Sequence, residues 1–295
     1  MSQPGTQLMI IGLGEVLWDL FPDEAKFGGA PANFAYHAGQ LGAKAVTVSA
    51  VGRDELGEKA LEKLKSVGMS PEFVQINQYP TGRVHVTLDD RGHASYRFED
   101  NCAWDHLEWR DELKELAASL HGVCFGTLCQ RSFESGRTIQ EFLAHVPSDR
   151  IKVYDINIRP PFYSNEVILR SLELANVFKL NDDELPIVAE IVGVQGAPVD
   201  QMKELCHRFK LRLIALTRGQ SGAMLVSPNE VVEQAGVEVK IKDTVGAGDS
   251  FTAALVIGLL DGKPLQEIAK AACELAAFVC TQSGATPEYD ASRFR

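Results

Sequence analysis

Short apolar runs alternate with helix-period segments along most of this chain. Residues 8–14, LMIIGLG, form a short apolar run closed by glycines and read as a buried strand. Residues 28–42 read as a helix: Pro31 sits near the start, Ala35, Ala38 and Leu41 are spaced helically, and Gly42 stops it. Residues 45–52 read as a strand, and 54–68 as an amphipathic helix capped by Asp54 and ended by Gly68. The pattern then changes. Over 83–100, Val84, Val86 and Leu88 alternate with Arg83, His85 and Thr87. Past a turn at Asp89–Gly92, Ala94, Tyr96 and Phe98 alternate with Ser95, Arg97 and Glu99. Such alternation predicts a hairpin with one wet face, at a sheet edge or as a lid over a site.

Strand and helix signals then resume. Strands are expected at 122–126, 151–157, 176–181, 212–217 and 222–226, with helical patterns between them. That repetition implies an α/β fold: a mostly parallel sheet with helices on both faces. Ligands then bind at the carboxyl ends of the strands. The polar clusters 155–161, 179–184 and 216–222 directly follow strand ends.

The composition narrows the classes. With 295 residues, 45% of them hydrophobic and 23% charged, the chain can bury a large core without staples. A net charge of −11 argues against non-specific nucleic-acid or anionic-membrane partners. No stretch approaches the ~20 apolar residues of a membrane span, and the run at 8–13 is too short for a signal peptide. Cysteines at 102, 124, 129, 206, 273 and 280 form no Cys-x-x-Cys, so they read as reduced thiols of a cytoplasmic protein.

Two glycine motifs carry little. Residues 12–17, GLGEVL, lack the third glycine of a dinucleotide fingerprint, and GLLDGKP at 258–264 has Pro264 where a P-loop needs Ser or Thr. The stretch DTVGAGDSFTAALVIGLL (243–260) is richer. Phe251, Ala254, Leu255, Gly258 and Leu259 share a helical face, so a helix starts near Asp249. The amides of Ala247, Gly248 and Asp249 would point outward and form an anion nest. Asp249 either caps that helix or serves beside a bound anion.

Gly-Ala-Gly-Asp after Asp243-Thr244 resembles the C-terminal signature of the ribokinase-like PfkB carbohydrate kinases. FGGAPANFAYHAGQLGA (27–43) resembles their N-terminal signature, KLNDDEL (179–185) their Asn-x-x-Glu motif, and LTRGQSGA (216–223) their nucleotide-side loop. The four matches come in family order. GGAPAN, the 79–105 segment and DINIRPPFYS (155–164) look most like a fructokinase.

The resemblance implies one ribokinase-like domain over 1–295, with a β lid from about 15–27 and 81–100. It implies transfer of the γ-phosphoryl of ATP to a sugar hydroxyl, with fructose as acceptor. The alternatives are a 2-keto-3-deoxygluconate kinase, a ribokinase, or a silent sugar-binding regulator. Asp249 would accept the hydroxyl proton, and the amides of Gly246, Ala247 and Gly248 would hold the developing charge. At a helix N-terminus, Asp249 is expected to stay ionised. Asp19, Gly29, Asn33 and Arg159 would bind the sugar. Asn181, Thr217, Gly219 and Gly248 would bind the nucleotide. Glu184 would order Mg²⁺ through water, and Asp243 would sit beside a monovalent cation such as K⁺. The partners would be sugar and ATP, with no nucleic acid or membrane; the chain would be a monomer or a homodimer through the lid.

Overall fold

The computed structural model describes residues 7–88 and 94–294; the expected turn at Asp89–Gly92 lies outside them. The chain runs β1 (Met9–Leu13), β2 (Leu17–Leu20), β3 (Ala25–Gly28), α1 (Ala30–Gln40), β4 (Lys44–Gly52), α2 (Glu55–Ser66), β5 (Val74–Asn77), β6 (Gly82–Leu88) and β7 (Ala94–Phe98). It continues through α3 (Asp111–Ser119), β8 (Gly122–Phe125), α4 (Phe133–His145), β9 (Ile151–Asp155), α5 (Asn165–Leu174), β10 (Val177–Asn181), α6 (Glu184–Val192) and α7 (Pro198–Phe209). The last part is β11 (Leu213–Thr217), β12 (Ala223–Val226), β13 (Val231–Gln234), α8 (Ala247–Leu260) and α9 (Leu265–Cys280).

The apolar runs build a nine-stranded sheet in the order β13-β12-β11-β10-β9-β8-β1-β4-β5. All neighbours from β11 to β5 are parallel; β11–β12 and β12–β13 are antiparallel. The chain winds outward from β1 to β5, then returns to the other side of β1 at β8. That reversal leaves a crevice at the carboxyl ends of β1 and β8, where open α/β sheets bind ligands.

Helices cover both faces. Phe34 and Ala38 of α1 pack with Phe251 and Leu255 of α8 and with α9 against one face. Phe142 of α4, Ile168 of α5, Leu185 of α6 and Met202 of α7 cover the other. Every residue of α8 from Ser250 to Gly258 is buried, so this helix lies inside the protein, not upon it. Asp54 caps α2 by accepting from the Gly57 amide at 2.8 Å, and Gly68 follows that helix at φ 78°.

The alternating segment belongs to a second sheet of four strands, order β3-β2-β6-β7. Strand β6 pairs with β7 as a hairpin and with β2 in parallel. Val84 and Val86 are buried, as the alternation requires. The single wet face fails on β7: Tyr96 is 55% exposed, on the same side as Val86. Among the described residues, β7 is an edge strand with β6 as its neighbour, and its Phe98 makes an edge-on contact with Phe162 at 5.5 Å.

One close approach sets the position of α1. A Cβ on Gly12, in the middle of β1, would lie 2.0 Å from the Pro31 carbonyl oxygen. The first turn of α1 therefore rests on the backbone of the central strand. Gly12→Ala should force the two apart, costing about 1–3 kcal/mol of overpacking strain. Urea unfolding of the variant beside the wild type measures this, and an unchanged midpoint would contradict it.

Candidate active site

The cleft forms where β1, β8 and β9 end and α8 begins. A narrow cavity there, about 10 Å³ or the space of one water, is lined by Glu15, Gly126, Thr127, Asp155, Asn157 and Asp249 among others. A larger cavity of about 410 Å³ opens between Gln130–Ser132 and Pro161–Ser164, but Asp249, Asn33 and Asp19 do not line it. The chemistry gathers at the smaller one.

Helix α8 starts at Ala247, not near Asp249 as the apolar pattern suggested. Gly246 is the N-cap residue, at φ 79°, and a Cβ on it would lie 2.6 Å from the Ala285 carbonyl oxygen. Both facts require glycine. Asp249 therefore falls in the first turn and caps nothing. Its Oδ2 instead accepts from Asn33 Nδ2 at 2.8 Å, a bond between α8 and α1. Ala247 N–H already donates to the Thr244 carbonyl at 3.3 Å. Among the described residues, the Gly248 and Asp249 amides donate to no backbone carbonyl, so the nest comprises these two rather than three.

Asn33 is buried, and its Oδ1 has no partner. One end of its amide orients Asp249; the other remains free to accept a hydroxyl. Gly29 caps α1 at φ 117°, and a Cβ there would lie 2.4 Å from the Glu15 carbonyl oxygen. Chain packing alone thus accounts for this glycine. Asp19 lies in β2, opposite Lys26, rather than in a turn. Burial pushes its carboxyl up to about 6, with Arg159 and Lys26 pulling it back.

Arg159 follows the strained Asn157, at φ 42°. Its guanidinium is close enough to Glu15, Asp19 and Asp249 to stabilise all three carboxylates. Asp249 keeps some surface open to the cleft, yet the protein around its carboxyl pushes its pKa up to about 6. Desolvation is the largest cause and Asp155 adds to it; Asn33, Lys179 and Arg159 oppose them. The helix terminus does not hold Asp249 at its ordinary value, although at pH 7 the ionised form still predominates.

Asn181 and Glu184 form a reciprocal pair between β10 and α6. Asn181 N–H donates to Glu184 Oε2 and Glu184 N–H to Asn181 Oδ1, each at 2.8 Å. Ile158 N–H donates to Glu184 Oε1, also at 2.8 Å. Glu184 thus fastens the loop after β9 to the end of β10, and burial pushes its carboxyl upward. Thr217 is the register partner of Asn181 on β11. Gly219 is exposed, at φ 53°. Asp243 accepts from the Val245 amide at 3.1 Å and the Gly284 amide at 3.0 Å, joining two loops behind the nest. Among the described residues, no cluster of three His, Cys, Asp or Glu could hold a metal.

The structure thus brings Asp249, Asn33, Arg159 and Asp19 to one end of the cleft, and Asn181, Glu184 and Thr217 to neighbouring strand ends. It also adds residues that sequence reasoning missed: Glu15, Asp155, Lys179 and Thr252. Lys179 Nζ lies 3.1 Å from Asp155 Oδ1, and both side chains are buried. Thr252 Oγ1 is 2.9 Å from both Asp155 Oδ2 and the Gly248 carbonyl, and its one hydrogen can serve either. The available signal was a charged residue closing one apolar strand, in KVYD, and one inside the next, in VFKL.

Glu15 gives a pH test. It is buried, with Oε2 unpartnered, and its pKa is pushed up to about 7. Burial is the main cause; Asp249 adds to it, while the Glu15 and Ala30 amides and Arg159 oppose it. A raised folded pKa stabilises the fold below the ordinary carboxyl range, and that gain is lost as pH rises through 7. Glu15→Gln should therefore raise stability at pH 8, by about 3 kcal/mol at most, with the gain shrinking as pH falls from 7 and gone by about pH 4.5. Thermal melts across pH measure this; a variant less stable at pH 8 than at pH 4, relative to wild type, would reverse the sign.

The family model for "pfkB family carbohydrate kinase" matches residues 22–291. The chain is 27% identical over 270 residues to an ATP-dependent 6-phosphofructokinase of Thermoanaerobacterium thermosaccharolyticum, covering 88% of this chain and 80% of the relative. It is 28% identical over 260 residues to a fructokinase of Salmonella typhimurium, covering 84% and 83%. The solved structure of an uncharacterized sugar kinase from Pyrococcus horikoshii in complex with ATP superposes with a TM-score of 0.83 at 26% identity, covering 97% of this chain and 99% of that one. The fold is the ribokinase-like α/β fold, and no helix among the described residues is long and apolar enough to cross a membrane. With its family model spanning nearly the whole length, the chain belongs to the pfkB family of carbohydrate kinases.

Proposed function

We propose that this chain transfers the γ-phosphoryl group of ATP to a hydroxyl of a neutral sugar, with D-fructose as the acceptor and fructose 6-phosphate as the product. The observation that carries the reading is the Asn33–Asp249 pair beside the free Gly248 and Asp249 amides. It sets a carboxylate, oriented and mostly ionised at neutral pH, next to two donors for anionic oxygen. Asp249 takes the proton of the attacking hydroxyl, late in a loose transition state. The two amides, at the positive end of α8, meet charge on the transferred group.

Arg159 favours a neutral acceptor over a sugar acid. Glu15, Asp19 and Asp249 all lie within reach of its field, and three carboxylates gathered there would repel a fourth carried by the acceptor. Asp19 and the free Oδ1 of Asn33 offer acceptors to sugar hydroxyls. The four-stranded sheet that carries Asp19 acts as the lid, and the whole chain works as one kinase unit. Its exposed edge at Tyr96 suits pairing with a second copy.

Asn181, Thr217 and Gly219 line the nucleotide side. Mg²⁺ keeps much of its water and binds mainly through substrate phosphates, so it needs few ligands from the chain itself. Glu184 would hold it through water with the lone pairs its two backbone amides leave free. Bound there, the ion would neutralise phosphate charge. Asp243 stands behind the nest, where a K⁺ ion would add positive charge.

The test is coupled ADP release with MgATP against fructose, ribose, 2-keto-3-deoxygluconate and fructose 6-phosphate. Fructose should be turned over at roughly 1–100 s⁻¹, the usual kinase range. Asp249→Asn should lower kcat by roughly 10²–10⁴-fold while calorimetry still detects the sugar. Turnover confined to another acceptor would keep the chemistry and reject fructose; retained turnover with lost sugar binding would reject the role of Asp249.

A further inference from the structure

Beneath the mouth of α8 lies a buried ion pair that the proton transfer does not itself use. Lys179 stands in the middle of β10, between Phe178 and Leu180, and Asp155 closes β9; the two are register partners in adjacent parallel strands. Their side chains point to the same side and meet at 3.1 Å. Lysine is rarely this buried without a partner, and Asp155 supplies one. The pair does not stop at itself. A Cβ on Gly248 would lie 3.1 Å from Lys179 Nζ, so the ammonium sits directly against the backbone that offers the free amides. Thr252, one turn beyond Asp249, connects Asp155 to the Gly248 carbonyl.

We propose that Lys179 is a positioning residue of the phosphoryl-transfer site: held by Asp155, it places a fixed positive charge behind the Gly248–Asp249 nest and keeps Asp249 in its proton-accepting form. This deepens the function proposed above and rests on it. The charged groups facing Asp249 are Glu15 at the end of β1, Asp155 on β9, Arg159 in the loop after β9 and Lys179 on β10; Asn33 of α1 is its neutral partner. Arg159 stands on the acceptor side and is shared among three carboxylates. Lys179 is the cation on the strand side. Burial alone would lower the Lys179 pKa, but Asp155, Glu184 and Asp249 together outweigh it and the net direction is upward. The ammonium therefore stays charged while the site works. Gly248 has a role as well: a Cβ there would crowd this ammonium at 3.1 Å.

The experiment compares four proteins: wild type, Lys179→Met, Asp155→Asn and the double variant, which removes both charges and leaves no buried charge alone. The acid limb of kcat/KM reports the ionisation of Asp249 in the free enzyme. Lys179→Met should move that limb up by roughly one pH unit, the low end for a nearby charge, and lower kcat by roughly 10²-fold. Asp155→Asn should move the limb down. The double variant should return it close to the wild-type position, whatever its kcat. A merely structural pair would change stability and leave the limb in place. The ¹³C titration of the Asp249 carboxyl, identified by its loss in Asp249→Asn, gives the same midpoints without turnover. Absence of any sugar kinase activity in wild type would reject the proposed function, while the carboxyl titration would still decide the role of Lys179. Midpoints that coincide in wild type and Lys179→Met, or that move the same way in both single variants, would overturn the inference.

Discussion

The hydrogen bond from Asn33 to Asp249 joins residues 216 positions apart in sequence, and much of the architecture serves to make it. Asn33 sits in the first turns of α1, which rests on the β1 backbone because Gly12 has no side chain. Asp249 sits in the first turn of α8, whose entry is shaped by the left-handed Gly246 against Ala285. Tyr36 and His37 of α1 then tie the 285–289 segment down, through the Pro287 and Ala285 carbonyls and the Tyr289 hydroxyl. Two helix N-termini are thus brought together at the point where the sheet reverses its winding.

The second organising constraint is the balance of charge. Glu15, Asp19, Asp155 and Asp249 crowd one end of the cleft, against Arg159 and Lys179. Desolvation pushes Glu15, Asp19 and Asp249 upward, and a neighbouring carboxylate adds to it at Glu15 and at Asp249. Perturbed carboxyls gathered at one strand-end cleft are the expected mark of a working site. Glu184 shows the opposite economy: nearly all of its hydrogen bonding goes to backbone amides, which fixes the loop carrying Arg159 relative to β10. The geometry of the loop after β9 and that of the end of β10 are therefore joined through one carboxylate.

The sequence revealed the main sheet well, because parallel strands buried on both faces read as short apolar runs. It revealed the family through four motifs in order. It was less informative where tertiary contact decides. Strands β2 and β3 are short and half-buried, so they carry no clear periodicity of their own. The β7 alternation promised a covered face, but an edge strand with one neighbour leaves Tyr96 exposed. The start of α8 was placed late because Ala247 and Gly248 add nothing to an apolar pattern. Glu15, Asp155 and Lys179 were overlooked for a physical reason. Glu15 and Asp155 stand at or just past the end of an apolar strand and look like a strand terminus meeting solvent, while Lys179 is a lone charge inside the apolar run of β10 whose buried partner lies on another strand.

The enclosure of α8 has a further consequence. A helix wrapped on every side from Ser250 to Gly258 cannot tilt or slide to suit a ligand. Asp249, which it carries, is a fixed datum, and any ligand must be brought to it by whatever surrounds the cleft. The four-stranded sheet and the loop after β9 have fewer neighbours and more open surface. Diversification of the acceptor, by natural drift or in the laboratory, therefore has room in those outer parts, while the helix bearing Asp249 can remain the shared anvil on which different sugars are struck.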